Sequence, residues 1–279
     1  MKQGFVNVDK PSGVSSGFVV NRVKRLCGMP CGHMGTLDPL ASGVLPVAIG
    51  NAARLFDYMQ RKKKQYIAVF RFGVRSDTLD CTGEVTCVNA HVPGEAELSE
   101  QAATMTGLVM QVPPKYSAKN VNGRRSYQLA REGKDFELAP KEVQIDRIEL
   151  LGRVSPDSYR FRIDCGAGTY IRSIARDLAA SCGADAIMTE LVRTRSGPFF
   201  LEEAVPLDLL TAENLRDFTA DTEGFVDLPL IRVADAHIFN GLPQPTDEAD
   251  GLYRIHDREG FYGIAEVKGH MAKIKTKLC

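Results

Sequence analysis

One carboxylate lies in the most constrained stretch of the chain, between Gly32 and Pro46. These fifteen residues contain three glycines and two prolines, and an apolar run follows them. Because glycine relaxes the restriction on φ and proline fixes it, the composition predicts a defined loop. Pro39 disfavours a helical backbone at Asp38. The loop can hold one reactive carboxylate in a fixed geometry, or it can be an ordinary Asx turn.

An arginine far along the chain is a second candidate for chemistry. A glycine turn at Gly166–Gly168 precedes a run with helical apolar spacing, and Thr169 is the predicted N-cap. Arg172 then falls in the first turn, away from the apolar face, where a cation opposes the helix dipole. A buried carboxylate partner would explain it. Ile171 occupies the place of a third glycine, so a dinucleotide fingerprint is not supported.

An aromatic side chain begins the first clear strand pattern. Residues Tyr66 to Gly73 alternate between two faces, and Tyr66 directly follows a basic run at Arg61–Lys64. An aromatic on a strand usually belongs to the core. At the end of a strand, however, a tyrosine can expose one ring face to a ligand, so both interpretations stay open.

A later segment mixes cations with aromatics. Lys115, Arg124 and Arg125 alternate with Tyr116 and Tyr127, and no apolar periodicity appears before Leu129. Cations that pair with phosphates and aromatic rings that stack on bases are typical of an RNA-binding surface. A mobile basic loop would have the same composition.

Composition limits the other possibilities. The chain has 279 residues, a formal net charge of zero and seven scattered cysteines. A balanced net charge argues weakly against a nucleic-acid partner. The charge is segregated along the chain, however, and RNA binding depends on the local electrostatic potential of the surface. Cys27, Cys31 and His33 lie close together without a second ligand pair, so we predict no metal site. No signal peptide or membrane-spanning run is visible, and we therefore expect a cytoplasmic protein.

The remaining pattern predicts strands with a few helices. We expect strands at Gly4–Asp9, Glu142–Arg153 and Ser158–Cys165, and a hairpin turn at Ser76–Gly83. Other expected elements are a helix capped by Ser16, a helix over Ser99–Gly107, a helix from Ala186 that ends within Leu191–Phe199, and small strands from Ile231 onward.

Several of these stretches resemble one family. GHMGTLDPLASGVLPVAIGNAAR is similar to the catalytic motif of the TruB family, the tRNA pseudouridine-55 synthases. GTYIRSIARDL and RTRSGPF resemble its second and third signatures. DKPSG resembles an element near its active site, and PPKYSA with GRRSYQLAREG resembles an insertion that grips the T-loop of tRNA. The resemblance runs from Lys10 to Phe199 and fades toward the C-terminus.

The resemblance implies a fold and a domain organisation. We expect an α+β fold with a mixed, largely antiparallel sheet flanked by helices, the pseudouridine synthase fold. Residues 1–228 would form the catalytic domain, with the RNA-gripping insertion at about 112–140. Residues 229–279 would form a small PUA-like β domain, whose role in RNA binding stays open.

The resemblance also implies roles for individual residues. Asp38 would act on the sugar, Arg172 would pair with it and keep it ionised, and Tyr66 would stack on uracil. Tyr170 and Leu191 would complete the catalytic set by shaping the pocket. The residues expected to bind substrate are His33, Lys10, Asp80, Lys115, Arg124, Arg125, Arg131 and Arg193. Asp77 and Lys134 are further candidates.

The implied reaction is isomerisation of uridine-55 in the T-loop of tRNA to pseudouridine. Reactant and product have the same atoms, so no cofactor, metal or energy donor is expected. Asp38 could be a nucleophile or a base that starts glycal formation. The expected partner is the T-arm of tRNA, with no obligate protein partner and a monomeric enzyme. The rival hypotheses are a tRNA-binding or folding protein without catalysis, a nucleoside hydrolase and a guide-RNA-dependent relative.

Overall fold

Strands dominate the computed structural model, which describes residues 3–60, 63–88, 91–121, 123–233 and 236–278. Arg61 and Lys62 of the basic run, and Cys279, lie outside the described residues. The strands are β1 Gly4–Lys10, β2 Cys31–His33, β3 Ser42–Ile49, β4 Lys64–Phe72, β5 Val74–Ser76, β6 Val85–Cys87, β7 Gly107–Gln111, β8 Asn120–Val121, β9 Arg124–Arg125, β10 Lys141–Ser155, β11 Ser158–Cys165, β12 Ala186–Ser196, β13 Phe199–Phe200, β14 Val205–Pro206, β15 Thr219–Ala220, β16 Leu230–Ile231, β17 Gln244–Pro245, β18 Gly251–Asp257, β19 Gly260–Lys268 and β20 Met271–Lys277.

Helices are fewer than strands among the described residues. They are α1 Ser16–Cys27, α2 Phe56–Gln60, α3 Glu95–Thr104, α4 Ser126–Arg131 and α5 Ile171–Ser181. Short 3-10 turns cover Gly50–Leu55, Leu201–Glu203, Leu207–Leu209, Glu223–Phe225 and Ala236–Asn240. Within the described ranges, no helix is both long and apolar enough to cross a membrane.

One large sheet carries the fold. Its strands run in the order β14-β1-β3-β12-β4-β11-β10-β7, and β2, β13 and β15 pair at its side. The pairings β1–β14 and β3–β12 are parallel, and the others along this path are antiparallel. The expected α+β fold with a mixed, largely antiparallel sheet is therefore confirmed.

The two faces of this sheet have separate apolar cores. Alternate residues of β3 point to opposite sides. Leu45 and Val47 belong to the core that also includes residues of α1, α3 and α5, while Val44 and Ala48 belong to the other core. The second core also includes Ile264 of β19.

A second, five-stranded sheet of order β16-β18-β19-β20-β17 forms the C-terminal part. Its strands all lie between Leu230 and Lys277, and it has its own apolar cluster around Ile255 and Val267. Leu278 and Ile264 pack against the large sheet. The predicted boundary at 228/229 stays a prediction, although the short strands from Ile231 are present.

The helix predicted from Ala186 is wrong, because β12 spans Ala186–Ser196 in the middle of the large sheet. It pairs with β3 on one side and β4 on the other. A strand enclosed by neighbours and covered on both faces shows little alternation between apolar and polar residues. Its Ile, Val and Thr content suits a strand, and this was the signal available in the sequence.

Helix starts also differ from expectation. Ser15, rather than Ser16, caps α1 by accepting a hydrogen bond from the Phe18 amide. Tyr170 occupies the N-cap position of α5, and the Thr169 hydroxyl instead donates to the carbonyl of Gly166. Helix α3 starts at Glu95, four residues before the prediction. The strand at Ser158–Cys165 matches its predicted bounds.

Candidate active site

Four adjacent strands place key residues in one row across the sheet. Lys10 of β1 pairs with Gly43 of β3, Gly43 pairs with Arg193 of β12, and Arg193 pairs with Tyr66 of β4. Directly paired residues on neighbouring strands project to the same face. Three of the predicted site residues are therefore brought together by strand register, although they are up to 183 positions apart in sequence.

Hydrogen bonds to its main-chain carbonyl groups hold the loop that carries Asp38. Every carbonyl from Gly35 to Leu40 accepts a hydrogen bond. The donors are the Arg193 guanidinium for Gly35 and Thr36, the Ser16 hydroxyl for Leu37, the Ala41 amide for Asp38, the Gly13 amide and Lys10 ammonium for Pro39, and the Ser12 hydroxyl for Leu40. The defined loop predicted from glycine and proline content is thus present.

Arg172 contacts the carboxylate of Asp38 directly. Its Nη2 atom lies 2.8 Å from Asp38 Oδ2 and also donates to the carbonyl of Tyr116 at 3.1 Å. Its Nη1 atom donates to the carbonyl of Thr78 at 2.9 Å. The cation at the start of α5 therefore has the carboxylate partner that its unfavourable helix position required. The same guanidinium joins the Asp38 loop to the segment at Tyr116.

A second carboxylate shares this arginine. Asp80 Oδ2 lies 3.5 Å from Arg172 Nη1, and the side chains of Arg172 and Asp80 are each 6% exposed. Hydroxyl groups of Thr78 and Thr82 donate to Asp80 Oδ1. Asp80 thus lies at the site, as the family resemblance implied.

Burial raises the pKa of Asp38 above its ordinary value. The charge of Arg172 opposes the rise in pKa, and the neighbouring carboxylate of Asp80 adds to it. The pairing with Arg172 thus acts in the direction expected, toward the ionised form, while burial acts against it. The side chain of Asp38 nevertheless keeps 35% of its surface exposed, so solvent or a ligand can reach it.

Tyr66 is buried rather than open at a strand end. It is the third residue of β4 and only 7% exposed. Burial raises the pKa of its phenol, the Arg193 guanidinium opposes this through charge and a hydrogen bond, and the charge of Asp38 adds to the rise. Of the two interpretations left open for Tyr66, the structure shows the buried one, and the strand begins two residues earlier at Lys64.

Arg193, which the sequence suggested as a substrate contact, lies inside the protein. Only 1% of its surface is exposed. Its Nε atom donates to the carbonyl of Val44 at 2.7 Å, Nη2 to Gly35 at 3.0 Å and Nη1 to Thr36 at 3.3 Å. The guanidinium therefore joins the two ends of the Asp38 loop, and its hydrogen bonds leave it no exposed surface for RNA.

Two buried lysines add positive charge beside Arg193, which clamps the two ends of the Asp38 loop. Lys10 is fully buried and donates to the carbonyls of Pro11 and Val14 at 2.8 and 2.7 Å. Burial lowers the pKa of Lys10 to about 8. Lys64 is also buried, and burial and the charge of Arg193 lower its pKa to about 8. Sequence reasoning missed Lys64, although its spacing of two residues from Tyr66 on one strand was a usable signal.

The other expected pocket residues lie around the same site. Leu191 is buried two residues before Arg193 on β12. Tyr170 is half-buried beside Arg172, and burial raises its pKa while a hydrogen bond with Ser117 opposes the rise. His33 lies on β2, and its buried Nδ1 atom makes no hydrogen bond. Burial and then the charge of Arg193 lower the pKa of His33.

The predicted RNA-contacting cations occupy a separate, exposed surface. Segment 112–140, which carries them, contains the short hairpin β8–β9 followed by α4. Arg125 donates to the carbonyl of Ala118 at 2.7 Å, and Arg131 lies over the Tyr127 ring with 5.7 Å to its centre. The side chains of Lys115, Arg124 and Arg125 are exposed. This segment is folded, and its cations are not part of the buried site.

Metal ligands are not clustered in the part of the chain that the structure describes. Cys27 and Cys31 approach to 3.4 Å between sulfur atoms, but both are free thiols.

Comparisons with known proteins identify the family of the chain. The N-terminal domain of the TruB family pseudouridylate synthases matches residues 24–171. A tRNA pseudouridine synthase B of Francisella philomiragia subsp. philomiragia is 37% identical over 274 residues, covering 94% of this chain and 90% of the relative. The protein of the same name in Francisella tularensis subsp. novicida is 38% identical over 274 residues, again covering 94% and 90%.

Solved structures show the same fold. A chain of a Cbf5-Nop10-Gar1 complex superposes with a TM-score of 0.72 at 24% identity, covering 99% of this chain and 85% of that one. A chain of the archaeal box H/ACA sRNP Nop10-Cbf5 complex gives 0.71 at 24% identity, covering 99% and 86%. From the family match and the sequence identity over nearly its whole length, we conclude that the chain belongs to the TruB family of pseudouridylate synthases and is an isomerase of that class.

Proposed function

We propose that this protein isomerises uridine-55 in the T-loop of tRNA to pseudouridine, with Asp38 as the catalytic carboxylate. The observation that carries the proposal is the contact of Arg172 with Asp38, at 2.8 Å, in a loop whose carbonyls are all hydrogen-bonded. The names of the curated relatives support tRNA as the substrate.

The reaction needs a carboxylate that reaches the sugar while the base stays in the site. The N-glycosidic bond breaks, uracil turns, and its C5 atom bonds to the same sugar carbon. The C5 proton is then lost to a base and N1 takes up a proton, so reactant and product have the same atoms. Asp38 attacks the sugar as a nucleophile or removes a proton to give a glycal, and the geometry is compatible with either role. A pocket closed to bulk water favours recapture of uracil over hydrolysis.

The neighbours of Asp38 have supporting roles in this proposal. Arg172 holds the carboxylate in position, and Asp80 fixes Arg172 from the other side. Tyr66 is the proposed stacking partner of uracil, and Tyr170 and Leu191 shape the pocket. Because only 7% of Tyr66 is exposed, an entering base must displace groups that cover the ring.

RNA contacts are proposed on the exposed surface beyond the pocket. The cations of segment 112–140, namely Lys115, Arg124, Arg125, Arg131 and Lys134, would meet phosphates, and His33 would stack in the opened loop. The target uridine leaves its stack, which costs less in a loop than in a duplex. We further propose that residues 1–228 form the catalytic domain and that the sheet from Leu230 onward is a PUA-like domain of a monomeric, cytoplasmic enzyme.

The test is to incubate the protein with an unmodified tRNA transcript and to map pseudouridine by position. We expect one modified position in the T-loop for the wild-type protein and for Asp157→Asn, and none for Asp38→Asn. Asp157 is a suitable control because it pairs with Arg71 at the opposite end of β4 from Tyr66.

The product separates the rival hypotheses. Free uracil would identify a hydrolase, and RNA binding without any isomerisation would identify a binding protein. Modification at another uridine only would overturn the assignment of position 55.

A further inference from the structure

The cations proposed to hold RNA already hold anions in this structure. Arg124 directs both terminal nitrogens of its guanidinium at the two carboxylate oxygens of Glu132. Lys134 Nζ lies 3.0 Å from Glu132 Oε2, and Lys115 Nζ lies 3.0 Å from Asp135 Oδ1. Three of the five proposed phosphate contacts are thus occupied by carboxylates of the same segment.

The geometry of these pairs resembles that of a bound phosphate. Arginine binds carboxylate and phosphate in the same two-pronged manner, with parallel N–H donors. Glu132 also bridges Arg124 to Lys134, as a single phosphate could. Because the pairs bring these exposed side chains into defined positions, they hold the cations near one another in the absence of RNA.

We propose that Glu132 and Asp135 are phosphate mimics, which occupy the RNA-binding cations of segment 112–140 until RNA displaces them. This inference rests on the proposed function, because it assigns those cations to RNA. Binding is then an exchange of carboxylate for phosphate rather than a simple addition of charge. Exposed ion pairs are weak, so RNA can break them readily, and they can re-form as the product leaves.

The salt dependence of RNA binding measures this exchange. A cation that is already neutralised by a carboxylate contributes little to the release of counterions from RNA. Removing the charge of Glu132 adds about one net positive charge, which steepens the slope of log K against log salt by roughly 0.7–0.9. If the binding curves converge at 1 M salt, a difference of about 0.8 gives roughly a tenfold gain in affinity at 50 mM.

The experiment compares Glu132→Gln with the wild-type enzyme and Asp157→Asn. The control also loses one carboxylate from an arginine pair, here a partly exposed one at the far end of β4. Binding of an unmodified tRNA transcript is measured between 50 mM and 1 M salt, together with the dissociation rate of modified tRNA. Isomerisation at saturating enzyme is followed in the same preparations.

We expect Glu132→Gln to bind more tightly at low salt, with a steeper slope and slower product dissociation, and an unchanged single-turnover rate. Asp135→Asn should shift the slope in the same direction, because it releases Lys115. An unchanged slope in both variants, while isomerisation remains normal, would overturn the mimic proposal and leave the enzymatic function intact. An equal shift in Asp157→Asn would also overturn it, since the effect would then be that of net charge alone. Absence of isomerisation in the wild-type enzyme would refute the proposed function instead.

Discussion

Arg193 offers the sharpest test of how the site is held together. Replacing it with methionine removes three hydrogen bonds to the carbonyls of Val44, Gly35 and Thr36, at 2.7, 3.0 and 3.3 Å. Hydrogen bonds from a charged donor contribute about 1.5–3 kcal/mol each, and the longest contributes least. Burying methionine instead of a cation offsets part of the loss.

The net destabilisation should be about 3 kcal/mol, which lowers Tm by roughly 6–12 °C in a chain of this size. The catalytic effect should be larger than the structural one. Both ends of the Asp38 loop lose their clamp, and a displacement of about 1 Å at the reacting group can cost roughly 100-fold in rate. We therefore expect kcat to fall about 100-fold while KM for tRNA changes little.

The assay combines thermal unfolding with kcat, KM and salt dependence for Arg193→Met, Arg193→Lys and Arg195→Met. Arg193→Lys keeps the charge but has one nitrogen for three carbonyls, so its kcat should be intermediate. Arg195, two residues along β12, is exposed and donates to the Gly197 carbonyl, so its variant should retain the Tm. If Arg193→Met raised KM and flattened the salt slope while kcat and Tm held, Arg193 would contact RNA and the clamp would be refuted.

Three further predictions concern charge and backbone. The pKa of Asp38 is raised in the folded state, so its ionised form stabilises the fold less than its neutral form does. Asp38→Asn should therefore raise Tm more at pH 7 than at pH 4. An equal difference in Tm at the two pH values would contradict this. Because the charge of Asp80 raises the pKa of Asp38, Asp80→Asn should shift the acid limb of the kcat–pH profile to lower pH, and a shift to higher pH would refute the coupling. Gly43 has φ +96°, and a Cβ there would lie 2.4 Å from the carbonyl oxygen of Arg193. Gly43→Ala should therefore destabilise the fold by more than the roughly 1–3 kcal/mol of backbone strain alone, whereas Gly107→Ala, with φ +97° and open space, measures that strain in the same unfolding assay.

Local pattern predicted a strand with regular apolar alternation better than a strand without it. Strand β11 has one apolar face and one polar face, and its bounds were predicted correctly. Strand β12 lies between β3 and β4, and it buries an arginine where the pattern leads one to expect an apolar residue. Residues that break local rules in this way tend to lie at functional sites.

The sequence indicated one half of the contact between Asp38 and Arg172 for a physical reason, whereas the choice of Asp38 as the partner came from the family resemblance. A cation in the first turn of a helix is unfavourable, and that conflict indicated a buried anionic partner. Nothing comparable marks the carbonyls from Gly35 to Leu40, because hydrogen-bond acceptors of the main chain have no sequence signal. The sequence left the depth of Tyr66 open for a related reason, since the strand that carries it begins within a basic run, at Lys64.

In the proposed reaction, the buried cations around Asp38 would stabilise negative charge that develops on the base. Lys10, Lys64, Arg172 and Arg193 are buried beside the loop, whereas Asp38 and Asp80 are the carboxylates at Arg172. When the glycosidic bond breaks, the electron pair leaves with uracil, and the base becomes anionic. Fixed positive groups in a dry site stabilise such developing charge more than water does, because they need no reorganisation. The cations that position the Asp38 loop would therefore also hold an anionic uracil in the site. Uracil must stay there if its C5 atom is to bond to the sugar before water attacks the same carbon.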